Sequence, residues 1–177
     1  MVVQDIPQQR KDLMFKIIKR AFRYLRKRKL EKYKRVLPVN ELLNDRWEKA
    51  AFLGFGKNTS VYDLCCVFGD VKVGENTWVG PYTILDGSGG LAIGNNCSIS
   101  AGVQIYTHDT VKWAVSGGSE PYEYEETIIE DNCYIGPNAI ISKGVHLGKG
   151  CIVGANSFVN KSFDAFSKIA GNPARLV

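Results

Sequence analysis

The sequence has no long apolar run, and none of its hydrophobic stretches reaches the length a membrane-spanning helix needs. Histidine is scarce, with two in 177 residues. Five cysteines are present, but no two are spaced Cys-x-x-Cys, and Cys65 and Cys66 are adjacent. A zinc site needs clustered cysteine and histidine, so no metal centre is expected. The start, "MVVQDIPQQRKDLMFKIIKRAF", lacks the clean apolar stretch and small-residue cleavage site of a leader peptide. The expectation is a cytoplasmic protein with reduced thiols.

What is present is ordinary for a globular chain: 45% hydrophobic and 23% charged residues. The length allows one domain, alone or with an appendage. The net charge of +5 is unevenly spread. Residues 10–35 hold 13 Lys/Arg against 2 Asp/Glu, a local charge of +11, and the rest of the chain is net −6. The basic character therefore belongs to an N-terminal arm.

That arm has helical spacing. Met14, Ile17, Ile18, Ala21, Phe22 and Leu25 recur at three- and four-residue intervals with cations between them. Pro38 ends the segment. Asn40 is a good N-cap for a second short helix through "ELLNDRWEKAAF", with Gly54 as its stop. Residues 1–52 are read as a basic helical segment and 53–177 as the main domain.

From Val67 a large aliphatic residue recurs every sixth position: Val67, Val73, Val79, Leu85. The unit "LDGSGGLA" shifts the phase by two, and Ile93, Ile99 and Ile105 follow. After a gap come Ile129, Ile135, Ile141, Leu147, Val153 and Val159. A period of six fits neither an amphipathic helix nor an alternating strand, but it fits a β-helix. Four positions after each aliphatic residue stands a smaller one: Thr77, Thr83, Cys97, Val103, Cys133, Ala139, Val145, Cys151 and Ser157. A narrow prism needs such a column. Three of the cysteines fall in it and are read as small core residues. Gly80, Gly94, Gly136, Gly148 and Gly154 follow the aliphatic residue, where a corner benefits from close approach or unusual φ.

The repeat breaks after "QIYTHDT", which holds His108, and resumes at Ile129. The interruption, residues 109–127, carries the aromatics Trp113, Tyr122 and Tyr124 outside any repeat phase. They either line an acceptor site or pack the loop on a neighbouring subunit. His146, at the end of "ISKGVH", is read as a surface corner residue.

The hexapeptides in register, "IYTH" before the break and the closing "AGNPARLV" resemble the hexapeptide-repeat acyltransferases, most of all the sugar O-acetyltransferases of the maltose and galactoside type and those of polysaccharide clusters. The resemblance implies an all-β main domain, a left-handed parallel β-helix, with an N-terminal α-helical extension. The hand comes from the resemblance alone, since ordinary crossovers favour the opposite. It also implies a homotrimer with acetyl-CoA as co-substrate between adjacent β-helices, no metal, and a sugar or glycan acceptor. His108 becomes the general base at the foot of the projecting loop. Imidazole suits that work, because as a class it titrates near neutral pH. Its orienting partner is left open among Asp109, Glu123, Glu125, Glu126 and a backbone carbonyl.

Matching the family's corners points to Tyr134, Gly136, Pro137, Gly154 and Ala155 for the pantetheine arm, and to Asn160, Lys161 and Arg175 near the phosphates. Asp86, Asp109, Trp113 and Tyr122 are candidates for acceptor binding. Asp86 either faces the acceptor or caps the Gly-rich turn. Two departures bear on the acceptor. Pro81 stands where galactoside enzymes carry Asn, and "SFDAF" replaces Asp-Ile-Pro-Pro. The expected function is acetyl transfer to a sugar hydroxyl in polysaccharide or glycoconjugate synthesis. N-acetylation of a nucleotide-linked amino sugar and a non-catalytic scaffold are the alternatives. A γ-type carbonic anhydrase needs three zinc-binding histidines, one more than the chain has. The arm, residues 10–37, docks on protein or lies on anionic membrane at the inner face. Nucleic acid is disfavoured by the acidic body.

Overall fold

The computed structural model describes residues 7–177. Residues 1–6, the start of the expected basic segment, lie outside the described part. The chain forms two units, Met1–Asp45 and Arg46–Val177. Residues 46–52, grouped above with the arm, thus cluster with the main body.

The first unit holds helix α1 (Gln8–Tyr33) and helix α2 (Val39–Leu43). α1 ends on Lys34 in the left-handed conformation, its amide returning to the Leu30 carbonyl. Asn40 is not an N-cap. Pro38 occupies that position and Asn40 lies inside α2. Proline lacks an N–H and has a fixed φ, so it suits a helix entrance better than the sequence reading allowed. The second helix is also split: Asn44 adopts an extended conformation, and helix α3 (Arg46–Phe52) starts afresh.

The second unit is a parallel β-solenoid of about six turns. Ser60 pairs with Trp78, 18 residues on, which is three hexapeptides and one full turn. Tyr134 pairs with Ile152 over the same interval. Strands Ser60–Val61, Trp78–Val79, Ser98–Ile99, Tyr134–Ile135, Ile152–Val153 and Lys168–Gly171 stack as one face. Strands Cys66–Val73 and Ile84–Ile93 bend across the other two faces. Gln104–Ile105, Ile140–Ile141 and Phe158–Val159 continue the second face. Thr127–Ile129 and His146–Leu147 continue the third. Where "LDGSGGLA" carries two extra residues, the pairing shifts register, from Gly69 with Gly87 to Val71 with Leu91.

The period of six locates the core. From Val73 to Val159 every residue of the aliphatic column is buried, and Val67 is partly so. Every member of the small column is buried as well. Its three thiols each donate to a carbonyl of the next coil: Cys97 to Glu130, Cys133 to Gly148 and Cys151 to Asp164, at 3.2–3.3 Å. The Cys97 thiol and burial push the Cys133 thiol up from its usual range, and burial does the same for Cys151.

Two devices close the ends. At the start, Ala50 of α3 and Phe55 join the core, and the Lys49 ammonium donates to the carbonyls of Tyr62, Asp63 and Cys65 at 2.8–3.1 Å. At the finish, Lys168–Gly171 turns back antiparallel onto Ala174–Leu176 through a cis Asn172–Pro173 bond.

The glycine column has one role, not two. Gly80, Gly94, Gly136, Gly148 and Gly154 all keep ordinary φ. The left-handed positions fall instead just before the small column, largely on asparagine: Asn76, Asn96, Asn132, Asn138 and Asn156. Asparagine tolerates that region and glycine is not required there. The column glycines serve close approach. A Cβ on Gly80 would lie 2.7 Å from the Ala101 nitrogen and 2.9 Å from the Ser100 carbonyl carbon. Both are backbone of the next coil and cannot yield locally. Gly80→Ala is expected to destabilise the fold by roughly 1–3 kcal/mol, the usual range for overpacking, read as a lowered midpoint in denaturant unfolding.

Candidate active site

Leu85 and Ile105 are buried column residues that pair on adjacent coils. The residues after them round the same edge of the prism. This brings Asp86 beside Thr107 and His108, although 22 positions separate Asp86 from His108. Thr107 is fully buried and ties the edge together. Its amide donates to Asp86 Oδ2 at 3.1 Å and its hydroxyl to the Asp86 carbonyl at 2.9 Å. The Gly89 amide donates to the same hydroxyl at 2.8 Å.

The Asp86 side chain is 3% exposed. Its Oδ1 accepts from the Ser88 amide at 3.0 Å and the Ser88 hydroxyl at 2.6 Å. Its Oδ2 lies 2.6 Å from His108 Nδ1. Burial pushes the carboxyl up, but the Ser88 hydroxyl, the Thr107 and Ser88 amides and His108 together outweigh it and hold it at about 2. Asp86 is therefore ionised over the working pH range and can only accept hydrogen bonds. It follows that in the neutral ring of His108 the proton sits on Nδ1 and Nε2 presents its lone pair. Nε2 has no protein partner among the described residues, and the side chain is 32% exposed.

The orienting partner is thus none of the nearby carboxylates considered from the sequence. Asp86 was read as facing the acceptor or capping the turn. It caps the turn with one oxygen and holds His108 with the other. Both oxygens are engaged inside the protein, which leaves no exposed carboxylate for an acceptor.

Beyond the edge, His108–Asp109 pairs antiparallel with Glu123–Tyr124 as the foot of the projecting loop. The Tyr124 ring stacks on the His108 imidazole, 5.8 Å between centroids at 25°. Helix α4 (Val111–Val115) forms the loop's outer part. Asp109 accepts from the Val111 amide at 3.0 Å and lies 3.4 Å from the Lys143 ammonium. These two contacts hold its carboxyl below the usual range. Lys143 also reaches Glu123 at 3.6 Å. Glu123 is held low first by Lys112 and also by Lys143. Asp109 is therefore engaged in anchoring the loop. Trp113 and Tyr122 meet edge to face at 5.5 Å and both stay half-exposed.

The candidate cofactor residues fall on different edges. Ile105, Ile141 and Val159 are in register, so Asn160 and Lys161 follow round the same edge as Thr107 and His108. Gly136, Pro137, Gly154 and Ala155 sit on the edge after the first face, where Gly136 packs against the Ala155 backbone. Tyr134 lies on that first face, half-exposed, beside Ile152. Lys161 and Arg175 do come together. Both line a concavity of about 680 Å³ with His146, Phe163 and Glu130. The Lys161 ammonium lies over the Phe163 ring at 5.3 Å. His146 was read as a plain corner residue, but it lines this concavity, its Nε2 2.8 Å from Glu130. Among the described residues, no group of three or more His, Cys, Asp or Glu is arranged to hold a metal.

The hexapeptide repeat of succinyl-transferase matches residues 70–107 and 126–161, and the gap between them, 108–125, covers His108 and most of the projecting loop. A 2,3,4,5-tetrahydropyridine-2,6-dicarboxylate N-acetyltransferase of Staphylococcus aureus is 36% identical over 84 residues, 48% of this chain and 31% of that protein. The match thus spans about a third of the relative's length. The crystal structure of AntD, an N-acyltransferase from Bacillus cereus in complex with dTDP and 3-hydroxybutyryl-CoA, superposes with a TM-score of 0.64 at 26% identity, covering 70% of each chain. Galactoside acetyltransferase in complex with coenzyme A superposes with a TM-score of 0.63, covering 70% of this chain and 62% of that one. At 22% identity that last likeness speaks for the fold alone. Over residues 70–107 and 126–161 the chain thus carries a hexapeptide repeat, and it shares the fold of the hexapeptide-repeat acyltransferases.

Proposed function

We propose that the protein transfers an acetyl group from acetyl-CoA to a hydroxyl of a sugar or glycan, with His108 as general base, in polysaccharide or glycoconjugate synthesis. The observation that carries this reading is the buried Asp86 carboxylate on His108 Nδ1, which leaves an open Nε2 at the foot of the loop. An alcohol is a poor nucleophile until its proton is taken, and an oriented neutral imidazole takes it. As the acceptor oxygen attacks the thioester carbonyl, its proton passes to Nε2. The carbon–sulfur bond then breaks, and the imidazolium returns the proton to the departing thiolate. The Asp86 carboxylate stabilises the imidazolium between these steps.

CoA is polyanionic, and the cations suited to it are Lys161 on the His108 edge and Arg175 across the concavity. The His108 side chain is 32% exposed in the single chain, and in a homotrimer a neighbouring copy supplies the other side of the groove. An amine on a nucleotide-linked sugar is the second acceptor class. The AntD likeness favours it, because that N-acyltransferase was crystallised with dTDP and an acyl-CoA.

Acetyl-CoA at about 100 times its Kd is expected to add roughly 2.7 kcal/mol to the unfolding free energy. The rise in midpoint should shrink in Lys161→Ala and Arg175→Ala. No shift with acetyl-CoA or any other acyl-CoA removes the donor, and the reading with it. Thiol release against a panel of glycans and dTDP-linked amino sugars separates the two acceptor classes.

A further inference from the structure

Helix α1 carries a feature the chemistry above does not use. At about 100° per residue, Leu13, Met14, Ile17, Ile18, Phe22 and Leu25 fall within one arc of roughly 200°. Lys16, Lys19, Arg20, Arg23, Arg26 and Lys27 fill the opposite arc. The two arcs do not mix over 13–27. From Arg28 the segregation ends, and Arg28, Lys29 and Lys32 fall on the side that is apolar over 13–27. Leu13, Met14, Ile17 and Ile18 are each half or more exposed. At the seam between the arcs, the Arg26 guanidinium lies over the Phe22 ring at 4.4 Å and the Lys19 ammonium over Phe15 at 6.0 Å. Among the described residues no helix is long and apolar enough to cross a membrane.

We propose that α1 lies flat on an anionic lipid surface, its apolar arc in the acyl boundary and its basic arc at the headgroups. A planar interface takes both arcs at once. A nucleic acid would use the cations and leave the apolar arc in water. Two α1 helices meeting by their apolar arcs would bring their cationic seams together, which costs like-charge repulsion. The basic turns after Arg28 add the polycation that negative lipid attracts. This inference is independent of His108.

The test is co-sedimentation of the full-length protein with vesicles of phosphatidylcholine, alone or with about 30% phosphatidylglycerol. Anionic lipid is expected to tighten binding at least about tenfold at low salt, and most of that gain should vanish near 0.5 M salt. Ile17→Glu with Ile18→Glu, and separately Lys16→Gln with Arg20→Gln and Arg23→Gln, should each weaken binding by roughly tenfold. Circular dichroism checks that both variants keep the fold. Equal binding to neutral and anionic vesicles overturns the proposal, as does wild-type binding by both variants. So does a change confined to the oligomeric mass without vesicles, which assigns α1 to a second copy.

Discussion

His108→Ala is expected to lower kcat by roughly 10²–10⁴-fold, the usual contribution of a positioned general base, while acetyl-CoA binding is kept. The ring can be removed without dismantling its surroundings. The pairing of His108 with Tyr124 is made by backbone, and the imidazole is one third exposed rather than part of the core. Asp86 loses one partner but keeps the Ser88 and Thr107 donors. Stability should therefore change by no more than about 1 kcal/mol. The decisive pair of measurements is turnover at saturating acetyl-CoA and calorimetric binding of acetyl-CoA. Weakened binding with unchanged kcat would make His108 a docking residue, and the proton-transfer role would be lost.

The buried core was legible because its signal is one-dimensional. A six-residue period shows which residues point inward without any knowledge of the partner coil, and Val73 to Val159 are buried accordingly. Even the phase slip at "LDGSGGLA" appears as a register shift in the pairing. The site was harder because its parts come from different coils. Asp86 stands at an irregularity of the repeat, and His108 precedes the break. Their meeting follows only once Leu85 is put in register with Ile105, which places the next residues of both coils on one edge. The sequence leaves the partner open among Asp109, Glu123, Glu125, Glu126 and a backbone carbonyl, and of these Asp109 and Glu123 anchor the loop through Lys143. The cofactor residues were matched on hexapeptide corners, which recur on all three edges. Local matching does not say which edge, so Gly136 and Gly154 lie after the first face while Lys161 lies on the edge of His108. The left-handed turns carry a readable signal, an asparagine directly before the small residue in coil after coil.

Asp86→Asn is expected to cost kcat about as much as removing the base, roughly 10²–10⁴-fold, but by a different route. The native carboxylate accepts from Nδ1–H and so fixes Nε2 as the acceptor. An asparagine amide placed there donates to Nδ1 instead, the proton moves to Nε2, and the ring presents a donor where a base is needed. Acetyl-CoA affinity and acceptor KM should stay near wild type, because Asp86 is buried and both its oxygens are engaged within the protein. The same substitution has a signature in acid that a loss of activity alone lacks. The Asp86 carboxyl sits at about 2 in the folded protein and near 3.9 in an unfolded chain. A depressed folded value gives stability that is complete above about pH 4 and is lost as pH falls through about 2. The difference corresponds to roughly 2–3 kcal/mol at neutral pH. Wild type should therefore lose stability between pH 4 and pH 2 by about that much more than Asp86→Asn, as measured by denaturant midpoints across that range. Parallel acid limbs with a fallen kcat would leave Asp86 as a tautomer-setting group whose charge the fold does not need. Diverging limbs with an unchanged kcat would make it a structural carboxylate, and Nε2 would then owe its lone pair to something other than Asp86.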